Sequence, residues 1–304
     1  MSNLVDAKPL TKTVPASGIK KFWVDFSESR LALLALAVLL TILFIALFAP
    51  WISPTNPYDL GSVDIMNSRL PPGAEDFAGN VYWLGTDGAG RDMLSSIFYG
   101  LRVSLGVGAF SGIVALTIGA TIGLAAAYFG GRLETIIMRI VDIQLSFPSI
   151  LMALIILAIF GKGVDKTIIA LVLVQWAYYA RTARASALVE KNKEYVEAAQ
   201  CLALSDRRII LSHIMPNCMA PMIVVGTLQT AHAISLEATL SFLGLGLPIT
   251  EPSLGLLIGN GFEYMYTGDF WISIFPGIAL LITIVSINLV GDQLRDIFNP
   301  RLQK

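Results

Sequence analysis

Apolar runs of membrane-crossing length alternate with polar stretches along this chain. Residues 31–52, 103–131 and 270–291 contain no charged side chain. A helix of about 20 residues, rising about 1.5 Å per residue, crosses a hydrocarbon core of about 30 Å. Each run therefore predicts a transmembrane helix. Three less pure segments bring the total to about six. Residues 134–160 enclose Asp142, Gln144 and Pro148. Residues 167–180 are uncharged, and snorkelling by Arg181 and Arg184 extends that span to residue 187. Residues 218–245 enclose His232 and Glu237. The expected fold class is an all-α integral membrane protein. The first run is too long, and too far from the start, for a secretory signal's apolar core of about 7–15 residues.

The polar stretches divide the chain into an N-terminal segment, 1–30, the first transmembrane helix, 31–52, and a loop, 53–99. A core, 100–292, and a tail, 293–304, follow. The loop carries Pro54, Pro57, Pro71 and Pro72 and reads as extended and turn-rich. A second loop, 246–269, carries Pro248 and Pro252, and a polar loop, 190–216, interrupts the core. With the N-terminus inside, 16 Lys and Arg residues lie on the inner side and 5 on the outer. The positive-inside rule then makes both termini and the 190–216 loop cytoplasmic.

Polar groups at membrane depth are costly and face a cavity or a neighbouring helix. Asp142 and Glu237 are on that ground candidates for lining a path through the membrane, and Pro148, in the same span as Asp142, is a third. Asp142 lies close enough to the polar start of its span to reach the interface instead, and Glu237 serves equally well as a buried hydrogen-bond partner. Pro148 removes one helix hydrogen bond and is expected to bend its span. The pairs Gly108/Gly112 and Gly119/Gly123 have the spacing that lets helix backbones approach closely, most simply within this chain.

Composition supports the membrane class, with 55% hydrophobic and 14% charged residues against about 25% charged in soluble domains. The net charge of −1 gives no sign of nucleic-acid binding. Cys201 and Cys218 fit no metal-ligand spacing or disulfide framework, and two histidines cannot build a usual zinc site. Gly85, Gly88 and Gly90 are not followed by Gly-Lys-Ser/Thr, and Gly161-Lys162-Gly163 lacks the rest of a phosphate-binding loop. The chain is not expected to hydrolyse ATP. Asp87, Arg91 and Asp92 are expected to stabilise the first loop.

The 190–216 loop holds the most informative residues. Lys191 to Leu204 are good helix formers, and Ser205-Asp206 has the form of a fresh helix start with an acid in the first turn. The loop is thus expected to be two short helices with a corner near 203–205, the second broken by Pro216. Tyr195, Ala198, Ala199 and Leu202 fall on one small, apolar face suited to docking a partner surface.

This loop resembles the EAA loop of the inner-membrane permeases of ABC importers. It supplies Glu197-Ala198-Ala199, then Ala203 where the family has glycine, His213 and Met215 where it has Ile and Leu, and Pro216. Ala203 would take a left-handed corner at a strain of about 1 kcal/mol. His213 is familiar in the peptide-type branch. Residues 84–105, LGTDGAGRDMLSSIFYGLRVSL, 237–246, EATLSFLGLG, and 291–301, GDQLRDIFNPR, resemble segments of the dipeptide/oligopeptide/nickel permeases with a long first external loop. Asn299 stands where Asp is usual, and Leu254 where Trp is usual.

The resemblance implies a type I importer in a bacterial inner membrane. This subunit would pair with a second, related permease, two cytoplasmic ATPases and an external substrate-binding protein. It would bind no cofactor itself, ATP and Mg being used by the ATPases. Glu197, Ala198, Ala199, Ala203, Arg207, Arg208 and Pro216 would form the ATPase-coupling site. The substrate would be a peptide, nickel, glutathione, an opine or an oligosaccharide. Two rivals compete with this reading. An ion-coupled secondary transporter would use Asp142 and Glu237 as carriers. An intramembrane hydrolase would need a nucleophile with a positioned base, and no such signature is present.

Overall fold

The computed structural model describes residues 18–298 except 60, 62 and 249. Lys8, Lys12 and Asn299 lie outside the described residues. Helix α1 (Gly18–Ser27) leads into α2 (Arg30–Ile52), whose first turn is capped by the Ser29 hydroxyl accepting from the Ala32 N–H. The loop that follows contains a 3-10 turn, Ile65–Asn67, and a two-stranded hairpin, β1 (Ala74–Glu75) and β2 (Val81–Tyr82). Helix α3 then runs from Met93 to Phe129. It starts seven residues before the expected core boundary at 100, because Asp92 caps it by accepting from the Ser95 N–H at 2.8 Å. At about 1.5 Å per residue it is long enough to join opposite ends of the bundle.

The next expected span is two helices. These are α4 (Gly131–Ser146) and α5 (Ser149–Phe160), which meet at 93°. Pro148 therefore breaks the span rather than bending it. Its ring excludes the helical conformation for the preceding residue, and Phe147 is extended, with φ −91° and ψ 141°. Helix α6 (Val164–Lys191) packs along α3. A side chain at Gly119 would strike the Trp176 carbonyl, and one at Gly123 the Ala180 carbonyl. Gly108 and Gly112 face Ile234 and Thr230 in the same way. The two glycine pairs thus seat α3 against two helices of its own chain.

The polar loop holds α7 (Glu194–Cys201) and α8 (Asp206–Ile209). A π-turn, Ile210–Ile214, joins α8 to α9 (Met215–Phe242). Pro216 does not end a helix as expected, since 206–242 is continuous. The π-turn supplies the reason. The Met215 N–H donates to the Ile210 carbonyl, five residues back. That wider turn accommodates a proline ring which would clash in a regular helix. The expected second loop contains a further helix, α10 (Leu254–Phe262), which is capped by Ser253. The last helix, α11 (Trp271–Phe298), runs seven residues past the expected end of its span at 291.

Among the described residues four helices have the length and composition to cross a membrane: α2, α3, the 206–242 helix and α11. The α4–α5 pair counts as a fifth if it is one bent span. Helix α6 has the length, at 28 residues, but Gln175, Arg181 and Arg184 interrupt its apolar character. Leu171, Val174, Ala177, Tyr179, Ala180 and Ala183 on it are all buried. A helix enclosed by protein needs no continuous apolar surface toward lipid.

Candidate functional site

The finger formed by residues 190–216 is fixed at its base by three neighbouring helices. Lys191 Nζ donates to the Tyr128 carbonyl at 2.6 Å and to the Ala127 carbonyl at 3.3 Å. Those are the last carbonyls of α3, where a cation also complements the helix dipole. The Tyr128 hydroxyl donates to Asp206 Oδ1 at 2.7 Å, which ties the start of α8 to the same helix end. Glu190 Oε1 accepts from Lys193 Nζ and Oε2 from the Tyr195 hydroxyl, each at 2.6 Å. Asn217 Nδ2 donates to the Tyr195 hydroxyl at 3.2 Å and to the His213 carbonyl at 2.7 Å. Partial burial, with Glu190 accepting its proton, pushes the Tyr195 hydroxyl up to about 12. Tyr195 therefore keeps its proton at neutral pH and links α6, α7 and α9.

The corner of the finger is a helix stop built on Ala203. The Ala203 N–H donates to the Gln200 carbonyl at 2.9 Å and the Leu204 N–H to the Ala199 carbonyl at 3.3 Å. This is the Schellman pattern, in which the residue after the cap is left-handed and usually glycine. Ala203 has φ +53°, so the non-glycine residue takes the left-handed corner that the sequence predicts. Ser205 follows in an extended conformation and its carbonyl accepts from the Arg208 and Ile209 N–H groups. Its side chain makes no capping bond, so Ser205 starts the helix through its backbone alone.

The expected apolar face of α7 is split. Ala199 is buried beside Val196 among Ala183, Ala187, Ile209, Ile214 and Cys218. Tyr195, Ala198 and Leu202 point outward with Glu197. Leu202 is 74% exposed. The reason is spacing: 196 and 199 are three apart and share the inner face, while 195, 198 and 202 share another. Val196, absent from the sequence-based set, anchors the helix. Glu197, Arg207 and Arg208 are exposed, and their side chains make no hydrogen bond or ion pair among the described residues. Pro216 is exposed on the first turn of α9.

The three residues suggested for a path are not brought together. Asp142 Oδ1 accepts from Arg181 at 2.5 Å, and both side chains are about half exposed. With Glu134–Arg184 at 2.5 Å and Trp176 Nε1 donating to Gln144 Oε1 at 2.8 Å, this pair clamps α4 to α6. Pro148 forms the α4–α5 corner. Glu237 has no accessible surface, so it lines no open path in this conformation. Among the described residues no group of three His, Cys, Asp or Glu side chains is placed to hold a metal ion.

The 84–105 segment is a folded loop up to Asp92 and the start of α3 beyond it. Asp87 accepts from the Ala89 and Arg91 N–H groups, both at 2.9 Å, and from Arg91 Nε at 2.7 Å. The ion-paired side chains are only 6% and 12% exposed. Thr86 Oγ1 donates to the Asn67 carbonyl at 2.5 Å, and Trp271 Nε1 donates to the Thr86 carbonyl at 3.2 Å. Gly85 and Gly90 adopt φ +77° and +85°, where glycine is the residue without steric cost.

Comparison with known proteins bears on this arrangement. Residues 119–304 match the family described as binding-protein-dependent transport system inner membrane component. Residues 17–72 match the N-terminal TM domain of oligopeptide transport permease C. The di/tripeptide transport system permease protein DppC of Pseudomonas aeruginosa is 38% identical over 288 residues, covering 94% of this chain and 93% of the relative. The dipeptide transport system permease protein DppC of Escherichia coli is 38% identical over 304 residues, covering both chains completely. That of Haemophilus influenzae is 34% identical over 296 residues, covering 97% of this chain and 99% of the relative. Among solved structures, a chain of the inward-facing MetNI methionine ABC transporter superposes with a TM-score of 0.55. It is 19% identical and covers 68% of this chain and 98% of its own. The helical fold is that of a type I ABC importer permease. Family membership brings ATPase and substrate-binding-protein partners in general terms. The chain belongs to the family of binding-protein-dependent transport system inner membrane components, and is a multi-pass permease subunit of an ABC importer in a bacterial inner membrane.

Proposed function

We propose that this subunit carries peptides, pairs with a second related permease, and is driven by two cytoplasmic ATPases through the 190–216 finger. The peptide class rests on the substrates named for its relatives. The chain has no phosphate-binding loop, so ATP and Mg act on the partner ATPases. An external binding protein delivers the solute. The distribution of basic residues supports a cytoplasmic side for both termini and the finger.

One observation carries the coupling role. The base of the finger is bonded to α3, α6 and α9, while Glu197, Ala198, Leu202, Arg207 and Arg208 face outward. Helix α8 continues through the π-turn into α9. A displacement of the finger by an ATPase therefore moves a 37-residue helix as one lever. Ala199, Ala203 and Pro216 shape the finger; Glu197, Arg207 and Arg208 make the contact. Asp142 and Pro148 border the path at the α4–α5 corner, opposite a second subunit.

Glu197→Lys is the test. It should insert normally, assemble weakly with the ATPases and lose uptake; normal uptake by this variant contradicts the docking role. The ion-coupled alternative requires Asp142 and Glu237 to load and release ions. Asp142 is paired with Arg181 and Glu237 is fully enclosed. Uptake by ATP-free vesicles under an ion gradient would restore that alternative.

A further inference from the structure

We infer that Glu237 is held as a carboxylate anion by hydroxyls from α3 and α9, and that it is the positioning residue that fixes α10 and the turn before it on the bundle. Ser104 Oγ donates to Glu237 Oε2 at 2.9 Å and Ser241 Oγ donates to Oε1 at 2.7 Å. Each serine oxygen also accepts a backbone N–H. Leu254 N–H donates to Ser104 Oγ and Leu247 N–H to Ser241 Oγ, both at 3.3 Å. Neither hydroxyl has another acceptor among the described residues.

The number of protons in the site favours the charged form. The Ser253 hydroxyl bonds the same carboxyl group, and a serine hydroxyl carries one proton, so three hydroxyl protons meet the two carboxylate oxygens. A neutral acid would add a fourth proton and leave one proton without an acceptor, in a site with no access to water. A buried donor without a partner is rare and costly. An enclosed carboxylate is costly too unless it is hydrogen-bonded, and here each oxygen has its own donor. Bonds to an ionised acceptor are the strong kind.

The same network gathers separate pieces of chain. Ser104 belongs to α3, Glu237 and Ser241 to α9, Leu247 to the turn after α9, and Leu254 to the first turn of α10. Close approach by glycine completes the seat. A side chain at Gly255 would run into the Ala238 backbone, and one at Gly259 into the Phe242 backbone. Gly246 passes just as closely over Ser241. Ser253 caps α10 by accepting from the Leu256 N–H at 3.2 Å. The two serines bind the returning chain through their oxygens, and Glu237 orients both by taking their protons. Helix α10 therefore moves with α9 and α3 as one body.

The test uses the assembled transporter and two readouts. In the infrared difference between wild type and Glu237→Gln, the lost bands should be carboxylate stretches, with no carbonyl band of a protonated acid. A protonated-acid band overturns the assignment. In hydrogen exchange, Ser104→Ala should speed exchange about 10-fold at Leu254 but not Leu247, and Ser241→Ala the reverse. Unchanged protection at both amides overturns the positioning role. If Glu237→Gln fails to assemble, Ser104→Ala supplies the infrared comparison. Loss of one donor should then shift a carboxylate stretch, and a shift in a protonated-acid carbonyl instead counts against the anion.

Discussion

The two ends of the bundle treat their charged residues differently. At the loop end, the buried charged groups are bonded within the chain. Asp87 binds Arg91, Asp92 caps α3, and Glu237 takes two serine protons. At the finger end, bonding within the chain is confined to the base, where Lys191, Glu190, Tyr195 and Asp206 fix the two short helices. The outward groups Glu197, Arg207 and Arg208 have no partner among the described residues. An exposed residue without an internal partner adds little to stability. Its conformation and charge are available to another molecule. One end therefore holds the subunit together, and the other, on the proposed coupling role, is completed by a partner.

Substitutions should separate the two ends cleanly. Asp87→Ala leaves Arg91 buried and unpaired, and should cost about 3 kcal/mol, read as a lower unfolding temperature of the purified complex. Glu197→Lys should leave that temperature unchanged and reduce uptake by at least about 10-fold, equivalent to about 1.4 kcal/mol. If it destabilises the subunit instead, the finger is an internal structural element and the contrast fails. Ala203→Gly removes the left-handed strain at the corner and should add about 1 kcal/mol. Equal or lower stability would show that the corner is not held as described. Tyr128→Phe deletes the bond from α3 to Asp206 on a partly exposed surface, worth about 0.5 kcal/mol. Its uptake should fall slightly more than its stability, since the bond holds the base of the lever.

Much of this arrangement was legible in the sequence. The charge-free runs gave α2, α3 and α11, and Glu197-Ala198-Ala199 with Pro216 marked the finger. The left-handed corner at Ala203 followed from its place in the motif. Failures arose where tertiary packing overrode a local rule. Pro216 looked like a helix breaker, but one widened turn accommodates it. Ala199 looked like part of a docking face, but Val196 beside it turns that side inward. Helix α10 was hidden in a stretch with prolines and glycines. The uncharged run after Ser253 was its signal, and Gly255 and Gly259 are contact surfaces rather than breakers. Glu237 could not be assigned from sequence because its partner Ser104 lies on another helix, although Ser241 stands four residues on in α9.

The native thiols provide the most direct measurement. Cys201 is exposed at the end of α7 and Cys218 is buried in α9, so a thiol-directed photo-crosslinker labels the finger in the unaltered chain. In the assembled, active transporter the account predicts capture of an ATPase subunit from Cys201. Capture of only the second permease, or of no subunit while uptake continues, would contradict it.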